Sequence, residues 1–311
     1  MFETRSSAGT RQSEQAGGVG RLDPVMLAGL GNLQLVARTI VEGFLSGLHR
    51  SPYHGFSLEF SEYRQYSPGD DIRKVDWRVY GRTDRHYVKK FEGETNTQIY
   101  LLLDASRSMG YGDGPVTKLD YARMLAASVG YLATRQGDAP ALITFDSTIR
   151  RFTPPKSRSG HFAALLHHLE STRAEGRTAL SRVLEDFARL IRKRSIVVLL
   201  SDFYEETESL ARSLRFFHFR GNDVILFQIL DRRELEVSFT AAATLEDMET
   251  GETLPFAPEE QLPHYQRAIS RHLDELRREC RNIYIDHVIL PTYRPLDQAL
   301  FQYLSSRGRR F

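Results

Sequence analysis

Four short apolar runs set the strongest constraint on this chain: Ile99–Leu103 in "QIYLLLD", Ala141–Phe145 in "ALITF", Ile196–Leu200 in "SIVVLLS" and Val224–Ile229 in "VILFQIL". They are continuous rather than alternating, and too short for buried helices, which is how strands covered on both faces read. Between them lie segments with apolar residues at helical spacing: Lys118–Arg135, His161–Ser171, Ala179–Lys193 and Thr207–Phe217. A hairpin partner for the second run falls near Ile149–Phe152. Strands alternating with helices predict an α/β fold, a mostly parallel sheet between two helical layers.

The flanks have a different texture. From Leu22 to Leu48 the apolar spacing is helical, with an interruption near "GLGN", whereas residues 51–97 mix aromatic and β-branched residues with turn formers at "SPYHG" and "SPGDD". The expected organisation is a disordered tail over 1–21, a helical segment over 22–50, a small β region over 51–97 and the main α/β domain over 98–311. Within that domain "AAATLEDMETGETLPFAP" predicts a β-hairpin inserted at about 236–258, around the turn formers "TGE". A long amphipathic helix over Pro258–Arg281, a last strand in "IYIDHVIL" and a closing helix over Leu296–Ser305 complete the pattern. The 51–97 region and the hairpin are expected to pack together as one β extension.

Charge narrows the range of functions. The 42 basic and 40 acidic residues nearly cancel, so bulk electrostatics do not call for a nucleic acid. The clusters "RTDRHYVKK", "RLIRKR" and "RGRR" read as solvated faces or partner surfaces. The segment Arg64–Asp76, followed by Trp77, reads as an ion-paired turn anchored by an aromatic ring. Cys280 is the single cysteine, so no intramolecular disulfide forms; it is expected to be a half-buried thiol. His161, His167 and His168 share one expected helix without a carboxylate or cysteine to complete a metal set, and read as core or surface residues. No apolar run reaches the roughly 20 residues that span a bilayer, and the polar N-terminus lacks a signal-peptide core, which together predict a cytoplasmic protein.

The chemistry gathers at the strand ends. Asp104, Ser106 and Ser108 follow the first apolar run at alternate positions, Asp202 follows the run in "SIVVLLSD", and Thr178 precedes a helix in "EGRTAL". Ligands of open α/β sheets bind beyond the carboxyl ends of the strands. Two carboxylates and three hydroxyls, with no imidazole or thiolate, suit a hard divalent cation, Mg²⁺ or Mn²⁺. Five such ligands leave a coordination position open for a carboxylate from outside.

These residues carry a resemblance. "DASRS", the Thr178 of "GRT" and the Asp202 of "LSDF" resemble the metal-ion-dependent adhesion site (MIDAS) of von Willebrand factor A domains. The flanks "GFSLEFSEYRQYSPGDDIRKVDWRVYGRTDRHYVKKFEGE", "TLEDMETGETL" and "HYQRAISRHLDELRREC" resemble domain-of-unknown-function family 58, and the resemblance spans about Ser51 to Leu304. It implies a Rossmann-like, three-layer α/β/α von Willebrand A domain that binds Mg²⁺ or Mn²⁺ through Asp104, Ser106, Ser108, Thr178 and Asp202. Through the metal it would bind an acidic side chain of a protein partner; family members are often encoded beside MoxR-type AAA+ ATPases, so the resemblance implies work with such an ATPase in protein assembly or remodelling. Family members often carry N-terminal membrane helices, which this sequence does not show.

The competing reading is an Mg²⁺-dependent hydrolase or phosphatase with Asp104 as nucleophile. Haloacid-dehalogenase phosphatases place a general acid two residues after the nucleophile. Here that position is Ser106, which cannot shuttle a proton near neutral pH as a tuned carboxyl can. A non-enzymatic binding module is therefore expected. Asp104 and Asp202 could alternatively serve as helix caps behind their strands.

Overall fold

The computed structural model describes residues 22–50, 60–65, 87–91, 97–158, 160–236, 243–300 and 303. Helices α1 (Pro24–Ala28) and α2 (Leu33–Arg50) break at the Gly-containing link between them, where Gly31 has φ of +62°. Strands β1 (Phe60–Gln65) and β2 (Tyr87–Phe91) form an antiparallel pair. The tail over 1–21, the turns at "SPYHG" and "SPGDD", and the Arg64–Trp77 segment beyond Gln65 lie outside the described residues.

The main sheet has six strands. In chain order they are β3 (Gln98–Asp104), β4 (Ala139–Phe145), β5 (Ile149–Thr153), β6 (Ser195–Ser201), β7 (Asp223–Leu230) and β10 (Asp286–Pro291). They lie side by side as β5-β4-β3-β6-β7-β10, all pairs parallel except β4 with β5. This is a three-layer, Rossmann-like α/β/α arrangement, the fold class expected from the sequence. β5 carries Arg150 and Arg151 along its exposed edge, where charge discourages pairing with another chain.

Side-chain alternation sorts the sheet into two cores. Ile99, Leu101 and Leu103 of β3 face one way, with Ile196, Val198 and Leu200 of β6. Against them pack α2, α3 (Lys118–Arg135), α4 (His161–Ser171) and the last helical turns at 296–300 and 303. Tyr100 and Leu102, with Val197 and Leu199, face α5 (Leu180–Leu190), α6 (Thr207–Phe219) and α8 (Pro258–Asn282). On that side the Phe187 ring meets Tyr100 edge-on at 5.2 Å and stacks with Phe217 at 5.5 Å. Each such buried side chain contributes about 1.5–3 kcal/mol by leaving water.

Some local structure departs from the expected pattern. The helix expected to run to Lys193 ends at Leu190, because Ile191 turns extended and buries its side chain in the second core. Cys280, expected to be half-buried, is 1 % exposed, since α8 seats it beside Leu276 against the sheet. Two one-turn helices, the 3₁₀ turn Arg107–Gly110 and α7 (Arg232–Leu235), are too short to produce a periodic signal. α7 is held by a capping box between Asp231 and Glu234. The inserted hairpin forms from β8 (Ala243–Glu246) and β9 (Thr253–Phe256), a two-stranded ladder separate from both the β1–β2 pair and the main sheet.

Candidate functional site at the switch point of the sheet

From β3 the chain crosses first to β4 on one side and later to β6 on the other, so strand order reverses between β3 and β6. The loops leaving these two strands diverge to opposite faces and open a crevice at their carboxyl ends. Asp104 ends β3 and Asp202 follows β6, so both project at that reversal.

Asp104 is fully buried and fully engaged. Its Oδ1 accepts the amide hydrogen of Ser106 at 2.9 Å. Its Oδ2 accepts the hydroxyls of Ser201 at 2.6 Å and Thr178 at 3.3 Å. Ser201 lies beside Asp104 because Leu103 pairs with Leu200 in the parallel register. Ser106 and Ser108 share a hydroxyl hydrogen bond of 3.1 Å. Asp104, Ser106 and Asp202 form a buried floor, while Ser108 and Thr178 are half-buried at the rim.

The loop carrying Thr178 is fastened to the end of β3. Glu175 donates its amide hydrogen to the Ala105 carbonyl at 2.8 Å, and Arg107 donates to the Gly176 carbonyl at 3.0 Å. Gly176 holds φ of +78°, and a Cβ there would stand 2.5 Å from Asp146 Oδ2. Asp146 in turn accepts Arg150 Nε at 2.6 Å.

Asp202 is placed by a bend without a glycine. Phe203 takes φ of +56°, a left-handed conformation that bulky residues seldom adopt. The turn is held by burial of the Phe203 ring, by His272 on the Phe203 carbonyl at 3.0 Å, and by Gln228 donating to the Asp202 carbonyl at 2.9 Å. Neither carboxylate caps an α-helix: α6 has Glu206 at its N-cap, and the 3₁₀ turn has Ser106.

A family model described as "Protein of unknown function DUF58" matches residues 62–275. The chain belongs to the DUF58 family. Two curated relatives, the uncharacterized proteins Rv1480 of Mycobacterium tuberculosis and Mb1516 of Mycobacterium bovis, are each 26% identical to it over 291 residues, 92% of this chain and 91% of theirs. Among solved structures, the conserved hypothetical protein BatB from Bacteroides thetaiotaomicron overlaps 68% of this chain and 99% of its own, at 13% identity and a TM-score of 0.47. A von Willebrand factor type A protein from Catenulispora acidiphila overlaps 71% of this chain and 43% of its own, at 15% identity and a TM-score of 0.41.

Besides the sequence-derived residues, this DUF58 crevice contains a buried cation. Lys118, the first residue of α3, donates from Nζ to Asp202 Oδ2 at 2.8 Å and to Glu234 Oε1 at 2.7 Å. Its ammonium also lies 5.4 Å from the centre of the Tyr204 ring and 5.9 Å from that of Tyr111. Glu234 doubles as the capping residue of α7, its Oε2 accepting the Asp231 amide hydrogen. Composition alone does not single out Lys118, although its position carries a signal: a lysine at the positive end of a helix opposes the helix dipole.

The charge balance in the DUF58 site is uneven. Burial, then the neighbouring Asp202 charge, pushes the Asp104 carboxyl up to about 7. Burial alone would lower the Lys118 ammonium, but Asp202 and Glu234 hold it above its usual range. With Asp104 ionised, the carboxylates of Asp104, Asp202 and Glu234 set against the Lys118 ammonium leave two formal negative charges in a region mostly shielded from water. That excess, set beside hydroxyl and carboxylate oxygens, fits a hard divalent cation. The DUF58 histidines do not enter this set. His168 bridges Thr144 and Thr153 at 2.9 Å each, and His161 meets the Pro140 carbonyl at 2.9 Å.

Proposed function

We propose that the protein is a metal-dependent protein-interaction module that captures an acidic side chain of a partner through a divalent cation, Mg²⁺ or Mn²⁺. The observation that carries this reading is the Thr178–Asp104 contact at 3.3 Å, between positions 74 apart, beside the linked Ser106 and Ser108 hydroxyls. Asp104, Ser106, Ser108 and Thr178 would hold the cation. Asp202, already paired with Lys118, would add its charge from behind. When bound, the cation supplies an electrophilic centre for an incoming carboxylate; neutral hydroxyls leave more of its charge available than carboxylates would.

A nucleophilic role for Asp104 is disfavoured because Ser106 stands where a general acid would be needed and cannot shuttle a proton near neutral pH. A MoxR-type AAA+ ATPase, or its client, is the partner class that the family resemblance brings to this proposal. No helix of the described residues is long and apolar enough to cross a membrane.

Affinity capture with the immobilised full chain tests the reading, run in Mg²⁺ and in excess EDTA with Asp104→Ala in parallel. A protein retained by the wild type in Mg²⁺ alone, and lost with Asp104→Ala, is expected. Retention that survives both chelation and the substitution would remove the cation site from the binding mechanism.

A further inference from the structure

The turn joining β8 to β9 is tied down from within. Asp247 Oδ1 accepts the amide hydrogens of Glu249 at 2.7 Å and Thr250 at 2.9 Å, and the Asp247 carbonyl accepts that of Gly251 at 2.7 Å. The turn thereby presents Glu249 in a defined place. Its Oε2 accepts the Thr178 amide hydrogen at 3.1 Å, and its carbonyl accepts Arg177 Nε at 3.1 Å. Oε1 is left without a protein hydrogen-bond partner among the described residues. Glu249 and Ser108 line the same cavity of about 590 Å³, with Lys118, Tyr204 and Glu234 on its other walls.

Thr178 thus meets two carboxylates: its hydroxyl bonds Asp104 on the floor, and its amide bonds Glu249 from the hairpin. We propose that Glu249 is an internal ligand of the cation site, occupying from within the chain the coordination position that a partner's carboxylate takes on capture. This rests on the reading of Asp104, Ser106, Ser108 and Thr178 as the cation site.

The physical basis is competition between like ligands. Glu249 offers the same hard, anionic oxygen as a partner's acidic side chain, on a turn already docked beside Thr178. A tethered group of this kind acts at an effective concentration of about millimolar. A free acidic side chain must displace it, so the hairpin sets the threshold for capture. The matching partner presents its carboxylate on a segment that enters the cavity lined by the hairpin.

The test uses the full chain and Mn²⁺ alone. Electron paramagnetic resonance counts free Mn²⁺, and water-proton relaxation counts the waters on the bound ion. Glu249→Gln is expected to weaken Mn²⁺ binding about tenfold or more and to add one coordinated water. Glu252→Gln, which removes the same charge from the same hairpin, is expected to change neither. Asp104→Ala is expected to abolish binding. If Glu249→Gln matches the wild type in both readouts while Asp104→Ala does not bind, the internal-ligand inference is overturned and the cation site stands. Equal weakening by Glu252→Gln would also overturn it, by assigning the effect to net charge. Unchanged binding by Asp104→Ala would instead remove the cation site itself.

Discussion

Lys118 Nζ stands 2.8 Å from Asp202 Oδ2 across 84 positions of sequence, with the two side chains 1 % and 0 % exposed. A buried ion pair of this kind stabilises little overall, because desolvation offsets the attraction, yet removing one partner strands the other charge. The pair sets the electrostatics of the crevice. It occupies one carboxylate with a fixed cation, while Asp104 bonds the Thr178 and Ser201 hydroxyls and the Ser106 amide instead.

Replacing Lys118 by Met is therefore expected to cost about 3–5 kcal/mol, since Asp202 and Glu234 lose their shared counter-charge. Urea unfolding of the metal-free protein measures it. Adding Glu234→Gln to Lys118→Met is expected to recover part of the loss. A Lys118→Met protein as stable as wild type would mean that the bridge does not hold in solution.

Gly176→Ala is expected to destabilise the fold by about 1–3 kcal/mol, the usual cost of a strained backbone conformation. The added methyl would collide with Asp146 Oδ2 in a left-handed turn. Because Thr178 is two residues on, Mn²⁺ binding should weaken in the same variant. Unfolding curves and Mn²⁺ titration on one preparation check both; an unchanged affinity would show that the turn does not position Thr178.

His168 gives the fold a pH dependence. Burial, then Arg151 and His167, hold its pKa down to about 4, against an ordinary value of 6.5. Between those two values the unfolded chain takes up a proton that the folded chain refuses. Stability from this group is thus complete above pH 6.5 and is lost as pH falls toward 4, by up to about 3 kcal/mol. His168→Gln should flatten that part of the profile, measured as urea midpoints from pH 7 to pH 4.5. Parallel profiles for the two proteins would count against His168 as the titrating group.

Cys280 should be inert in the native protein. Burial and Glu279 push its thiol up to about 12, so little thiolate exists at neutral pH. An aromatic disulfide reagent should release less than a tenth of a stoichiometric signal in buffer over the time in which one full equivalent appears in denaturant, a span estimated at roughly minutes. Rapid native reaction would mean that α8 opens readily from the sheet.

The elements of the main sheet were legible because their signals are local. Helices α3 and α4 coincide with the spans Lys118–Arg135 and His161–Ser171 expected from apolar spacing, and the four apolar runs became β3, β4, β6 and β7. The short helix α7 was not legible as periodicity; only the Asp231–Glu234 capping pattern marks it. The end of α5 was misplaced because Ile191 gains more by turning into the core than by extending the helix.

For the site, sequence by itself determined the oxygen set. An Asp-x-Ser-x-Ser at one strand end, a threonine at a helix start and an aspartate at a second strand end are features of short segments and of strand termini. Only the tertiary structure decided which other side chains join them. Lys118, Ser201, Glu234 and Glu249 are ordinary polar residues in their own segments. Ser201 reaches Asp104 across 97 positions, Lys118 reaches Glu234 across 116, and Glu249 reaches Thr178 across 71. Charge and hydroxyl groups have no periodicity to reveal such partners. Sheet register, the reversal of strand order and the fold of the inserted hairpin bring them together. In the low-dielectric crevice, burial and proximity to Asp202 raise the Asp104 carboxyl, while Asp202 and Glu234 keep Lys118 charged.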